Sequence, residues 1–244
     1  MAGAAAAWIG SGCLVAPTSQ PVGRINYLGP TADRPDTLVV LLPGWGDRAG
    51  DFDRNGLIEA MRVAGIDADV VAVNAHSGCC WRDKLVRRLE IDVIERARAE
   101  GYSSIWVAGI SMGAQGALLA AERFEDIDGV VLLSPWLGAH PVVSQIEAAG
   151  GLHAWTPSSH GRDTMTRLWC WMKQAGAGHA APLYLGFGAD ERWRSISLLA
   201  EALPTERVVV TPGGHDWPTW RRAWPKLLAR GAFAGPAVGA IARG

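Results

Sequence analysis

Gly109-Ile110-Ser111-Met112-Gly113 is the stretch that decides how this chain is read. The apolar run Ser104-Ile105-Trp106-Val107-Ala108 ends directly at Gly109, as a buried strand should. The Ala- and Leu-rich segment from Ala114 to Arg123 then opens a helix at once. A serine held between strand and helix at this spacing reads as a sharp turn that lifts its hydroxyl over the end of a sheet. The glycines have a steric task. The serine of such a turn takes a strained backbone conformation, and larger side chains two positions either side would strike the neighbouring strand or helix. The five-residue pattern alone is weak in a chain with 30 Gly, so its flanks give it weight.

Working outward, the same alternation recurs. Thr37-Leu38-Val39-Val40-Leu41-Leu42 is a continuous apolar run stopped by Pro43-Gly44, which suits a strand buried on both faces of a parallel sheet. Further strands are expected at Ala68 to Val73, Val130 to Leu133, Leu183 to Phe187 and Arg207 to Thr211, with a short edge strand at Gly23 to Tyr27. Helices are expected at Leu57 to Ala64, Lys84 to Glu100, Ser195 to Leu203 and Trp217 to Arg230. Asp216 is placed to cap the last of these, with Pro218 in its first turn. This order predicts an α/β fold: a single doubly wound, mostly parallel sheet with helices on both faces. The domain is expected over residues 36–230, after a lead-in over 1–35 and before a loose tail over 231–244. Between about 136 and 181 the pattern loosens into a His-, Trp-, Gly- and Pro-containing stretch, which is expected to form a small lid insertion.

Composition narrows the function. A length of 244 residues suits one domain with a sizeable core, and a net charge of −1 gives no reason to expect nucleic acid as a partner. The four cysteines, Cys13, Cys79, Cys80 and Cys170, are too few and too irregular for a zinc site or a disulfide framework. Reduced cysteines are the expected state, a bridge from Cys79 or Cys80 to Cys170 the alternative on export. His140, His153, His160 and His179 lack metal-ligand spacing, so no metal is expected. No run of 18 apolar residues spans a membrane. The apolar Ala2 to Ile9 ahead of Gly10-Ser11-Gly12-Cys13 leaves an exported lipoprotein anchored at Cys13 as the alternative to a cytoplasmic location.

A serine hydroxyl is a poor nucleophile without a base, and the base needs an acid to orient it. Both types stand just past later strands. Phe187-Gly188-Ala189-Asp190 offers an aspartate, and Thr211-Pro212-Gly213-Gly214-His215 a histidine. Glu191 adjoins the aspartate and Asp216 the histidine, and both remain rival acids. His76, also near a strand end, reads as a loop histidine, and Asp47 and Asp51 as loop or surface carboxylates.

These segments together resemble the α/β-hydrolase superfamily on its esterase and lipase side, over roughly Asp36 to Arg230. The resemblance implies Ser111 as nucleophile, His215 as base and Asp190 as acid. It also implies an oxyanion hole from the backbone N–H of Met112 and of Trp45, in Pro43-Gly44-Trp45-Gly46, where the family often has histidine in place of the proline. No cofactor is implied. The expected substrate is a small or medium carboxylic ester, with Trp136 and Trp155 as pocket walls and Trp169 and Trp171 extending an apolar surface. Thioester, amide or C–C bond hydrolysis on the same scaffold is the alternative, and after these a non-catalytic binding protein.

Overall fold

The computed structural model describes residues 22–31, 33–74, 83–138, 141–157 and 163–234. Strands β1 (Arg24–Tyr27), β2 (Thr37–Leu42), β3 (Asp69–Val73), β4 (Ser104–Ile110), β5 (Gly129–Leu133), β6 (Leu183–Gly188) and β7 (Val208–Thr211) form one sheet in the order β1-β3-β2-β4-β5-β6-β7. Only β1 runs antiparallel, against β3, and the remaining pairings are parallel. Because β2, β4 and β5 sit mid-sheet with both faces covered, their sequences are unbroken apolar runs rather than alternating ones.

The two faces carry two cores. On one, Val40, Val107, Leu132 and Leu185 pack against the helices of Asp83–Glu100 and against α5 (Met112–Arg123), with further cover from the β5–β6 connection. On the other, Val39, Leu41, Ala108 and Val131 pack against Leu57, Met61, Trp224 and Leu227. The expected doubly wound sheet is therefore present. The helices of the first half are α1 (Asp51–Arg54), α2 (Leu57–Val63), α3 (Asp83–Leu89) and α4 (Glu95–Glu100). A π-helical turn at Glu90–Ile94 joins α3 to α4, so the expected single helix is continuous but locally widened. Its Asp92 is buried, accepts the Val22 N–H at 2.8 Å, and pairs with Arg88, which fastens the start of the described chain to the sheet's edge.

The β5–β6 connection departs from the sequence reading. It contains α6 (Pro141–Ala148) and α7 (Thr164–Gly176), and α7 places Met165, Leu168, Trp169 and Met172 in the core beneath the sheet. In α7, Asp163 accepts the Thr166 N–H as N-cap. This helix is a crossover that covers the sheet, as a right-handed parallel connection requires. The chain closes with α8 (Arg194–Ala202) and α9 (Trp217–Ala229); Asp216 caps α9 by accepting the Thr219 N–H at 2.9 Å. Among the described residues no helix is long and apolar enough to cross a membrane.

The turn after β4 depends on two glycines. A Cβ on Gly109 would lie 2.3 Å from the Gly113 backbone, and one on Gly113 only 2.1 Å from the Leu42 carbonyl oxygen. Neither neighbour is a side chain able to swing away. Gly113→Ala should therefore lower the melting temperature by ~2–12 °C or more, from an overpacking cost of about 1–3 kcal/mol or more. Gly46→Ala, where the Cβ meets nothing within 4 Å, should lower it by less despite the positive φ of 82°. Differential scanning fluorimetry of the two variants checks this.

Candidate active site

Ser111 sits between β4 and α5 with φ 53° and ψ −113°, a conformation costly for a residue with a Cβ. The turn is held from outside: the Ser111 N–H donates to the Leu133 carbonyl at 2.8 Å, and the Ser111 carbonyl accepts the Trp136 N–H at 3.0 Å. Its hydroxyl is thereby fixed at the carboxyl end of the sheet. His215 reaches it from the loop between β7 and α9, with Nε2 2.9 Å from Ser111 Oγ. The histidine loop is pressed close to β6. A Cβ on Gly188 would lie 2.1 Å from the Gly213 carbonyl oxygen, so only glycine allows this approach.

The carboxylate against His215 belongs to Glu191, not to Asp190. Glu191 Oε2 lies 3.0 Å from His215 Nδ1, and the Glu191 side chain is only 2% exposed. Asp190 is exposed and contributes its backbone N–H to the Gly213 carbonyl at 3.0 Å, a brace for the histidine loop. The turn after β6 directs residue 190 outward and folds residue 191 back, and the extra methylene of glutamate spans the remaining distance. Asp216 likewise serves as the α9 cap.

Glu191 is itself oriented. Its other oxygen, Oε1, accepts the Gly188 N–H at 2.8 Å and the Ser134 hydroxyl at 2.5 Å. Ser134 is fully buried, has a φ of 46°, and also accepts the Trp220 indole N–H at 2.8 Å. The direction of this chain is set by chemistry. An indole N–H can only donate, so the Ser134 oxygen accepts there and its proton points to Glu191. Burial works to raise the Glu191 carboxyl, but hydrogen bonds from His215, Ser134 and the Gly188 N–H outweigh it and hold the group below the usual carboxylate range. Sequence reading missed Ser134; its only signal was a polar residue closing an apolar strand.

Two clefts flank these residues. The first, about 500 Å³, is lined by Gly44, Trp45, Asp47, Ser111, His215 and Trp217 among others. Trp45 and Met112 are the two residues expected to donate to an oxyanion, and among the described residues neither N–H makes a hydrogen bond. Asp47 accepts the Trp217 indole N–H at 3.2 Å and burial raises its carboxyl, so it braces the loop that carries Trp45. The second cleft, about 370 Å³, is lined by Trp136, Leu137, Gly138, Val143, Trp193 and the residues beside it. Trp155, expected as a pocket wall, lines neither cleft. It is 2% exposed in the core with Trp169, because the β5–β6 connection turns its apolar residues toward the sheet.

A nucleophile elbow, a histidine after the last strand and an acid after the one before it, on a sheet of this order, form a recurring architecture. The chain has the α/β-hydrolase fold. No family model and no curated protein matches its sequence. Among solved structures it is similar to an S-formylglutathione hydrolase from Agrobacterium tumefaciens, with a TM-score of 0.56 at 14% identity over 87% of this chain and 91% of that one. Est1E from Butyrivibrio proteoclasticus gives a TM-score of 0.56 at 14% identity, covering 85% and 92%. A monoacylglycerol lipase from Paleococcus ferrophilus gives 0.53 at 19% identity, covering 86% and 99%.

Of the remaining residues singled out in the sequence, His76, His140, His160, Cys13, Cys79 and Cys80 lie outside the described residues. Cys170 is a free thiol whose pKa burial pushes up, so ionisation is disfavoured. Among the described residues no group of three or more His, Cys, Asp or Glu could hold a metal ion.

Two outcomes test this geometry. Glu191→Gln should lower the turnover number by about 10²–10⁴-fold through the wrong imidazole tautomer, while Asp190→Asn stays near the parent value; steady-state kinetics on a chromogenic ester decides. The depressed Glu191 carboxyl also makes a stability prediction. A carboxyl lowered on folding stabilises the native state above its unfolded value of about 4.3, and that contribution is lost as pH falls through the folded value. Glu191→Gln should therefore flatten the acid side of the melting temperature against pH below about 4.3.

Proposed function

We propose that this protein is a serine hydrolase that cleaves a carboxylic ester of small or medium size through an acyl-enzyme. The observation that carries the reading is the unbroken line from Ser111 Oγ to His215 Nε2, and from His215 Nδ1 to Glu191 Oε2, at 2.9 and 3.0 Å. The fold neighbours, a monoacylglycerol lipase and an S-formylglutathione hydrolase among them, lend support at the level of the fold.

In this mechanism Ser111 Oγ attacks the ester carbonyl carbon as His215 Nε2 takes the hydroxyl proton. Glu191 holds the Nδ1–H tautomer and balances the imidazolium that forms. The carbonyl oxygen gains negative charge against the N–H groups of Trp45 and Met112, each such donor being worth about 3 kcal/mol in the transition state. Collapse breaks the bond to the alcohol, which leaves with the proton held on His215. Water then attacks the acyl-serine while His215 takes its proton, and the acid departs as Ser111 regains its hydrogen. No cofactor enters any step.

A fluorophosphonate reports directly on such a serine. Intact protein should gain one phosphonyl group, located by peptide mass spectrometry on Ser111, and Ser111→Ala or His215→Ala should abolish or strongly slow the labelling. A folded, unlabelled Ser111 would overturn the hydrolase reading in favour of a binding protein on this scaffold.

A further inference from the structure

We infer that the second cleft is a recognition site for a planar aromatic ring on the ester substrate, with Arg192 set to meet an anionic or oxygen substituent on that ring. The inference rests on the hydrolase reading above and names the substrate class for it.

The starting observation is where the exposed aromatics lie. Among the large hydrophobic side chains exposed on the described surface, the aromatic ones are Trp45 at 61%, Trp136 at 40% and Trp193 at 37%. The other nine tryptophans of the chain do not share this exposure where they are described. All three exposed indoles stand on cleft walls: Trp45 on the first, which Ser111 lines, and Trp136 and Trp193 on the second. An indole left in water forfeits a large burial gain, so exposed indoles paired on the wall of one cleft, as Trp136 and Trp193 are, mark a surface that is covered when a ligand binds.

The second cleft is joined to the reacting groups on both sides. Trp136 is tied to the nucleophile by the hydrogen bond from its N–H to the Ser111 carbonyl. The Trp193 ring packs on the imidazole of His215, with centroids 4.6 Å apart. The cleft therefore lies beside the elements that hold the serine and the histidine. A volume of about 370 Å³ falls within the range of small-ligand pockets.

The lining chooses the chemistry. Among the described residues Trp136, Leu137, Val143 and Trp193 supply indole faces and aliphatic walls, Ser195 adds one hydroxyl, and no carboxylate or amide side chain lines the cleft. A sugar ring would ask for such acceptors for its hydroxyls; a flat aromatic ring asks for faces and edges. The two guanidinium groups differ. Arg194 is engaged by Glu147 and Glu201 at 2.9 and 3.0 Å, whereas Arg192 makes no hydrogen bond or ion pair among the described residues. Arg192 is therefore the donor available to an anionic or phenolic oxygen carried by the ring.

The test compares matched substrate pairs. One pair sets the ring on the acyl side, 4-nitrophenyl benzoate against 4-nitrophenyl cyclohexanecarboxylate. The other sets it on the alcohol side, phenyl acetate against cyclohexyl acetate. Each pair's kcat/KM ratio, read in the parent and in Trp193→Leu and Trp136→Leu, cancels the intrinsic reactivity of the esters. In one of the two pairs the aromatic preference should fall by about 2–10-fold in both variants, and that pair identifies which side of the ester the cleft holds. A carboxylate added to the ring in that pair should raise kcat/KM in the parent, and Arg192→Met should remove the gain. Ratios unchanged by both tryptophan variants in both pairs overturn the inference while leaving the hydrolase reading standing. If the parent turns over none of these esters and its Ser111 resists fluorophosphonate, the hydrolase reading falls and takes the inference with it.

Discussion

The close approach of the turn after β4 to the end of β2 is the contact on which the rest of the site depends. Gly113 lies so near that an added Cβ would sit 2.1 Å from the Leu42 oxygen and 2.5 Å from the Pro43 oxygen. Lacking one, the first turn of α5 slides under the loop that follows β2. That single contact does two things. It lets Ser111 hold a positive φ at the sheet's end, and it brings Trp45, two residues beyond Pro43, into the cleft that holds the serine hydroxyl. The serine hydroxyl and the loop of Trp45 are therefore set by one packing constraint rather than by two. The strain at Ser111 persists because parallel strands on either side grip its neighbours.

A second layer of constraint acts on the histidine. Its ring is bracketed by Trp193 and by the edge of Trp220, with centroids 4.6 and 5.2 Å away, so rotation away from Ser111 is opposed from two directions. Trp220 also donates to Ser134, which donates to Glu191, which accepts from His215. His215 and Glu191 are thus linked through one aromatic side chain of α9. A buried chain of this kind is stable only when every member is satisfied, and here each donor has its acceptor.

Much of this was legible in the sequence, for identifiable reasons. Strands buried on both faces must be apolar throughout, so β2, β4, β5 and β6 stand out as unbroken runs. The elbow announces itself through glycines whose Cβ atoms have no room. The sequence does not separate Asp190 from Glu191, which are neighbours past the same strand, because only the turn's backbone decides which one faces His215. Helix α7 carried a readable signal: Met165, Leu168, Trp169, Met172 and Ala175 recur at helical spacing. The surrounding Gly, Pro and His residues mask it, so Trp155 and Trp169, which fill the core, read in the sequence as walls of a pocket. Trp136, by contrast, does stand beside the serine. Ser134 shows in the sequence only as a polar residue closing an apolar strand, because its partners lie 57 and 86 positions away.

The claim that joins these observations is that Ser111 becomes acylated and that His215 with Glu191 drives both its formation and its breakdown. Rapid quench of the protein with a chromogenic ester, followed by intact-mass and peptide mass spectrometry, measures this directly. A transient mass gain of one acyl group on the Ser111 peptide, absent in Ser111→Ala and persisting longer in Glu191→Gln, is the predicted result. Turnover that continues in Ser111→Ala, or an acyl group carried on any other residue, would contradict it.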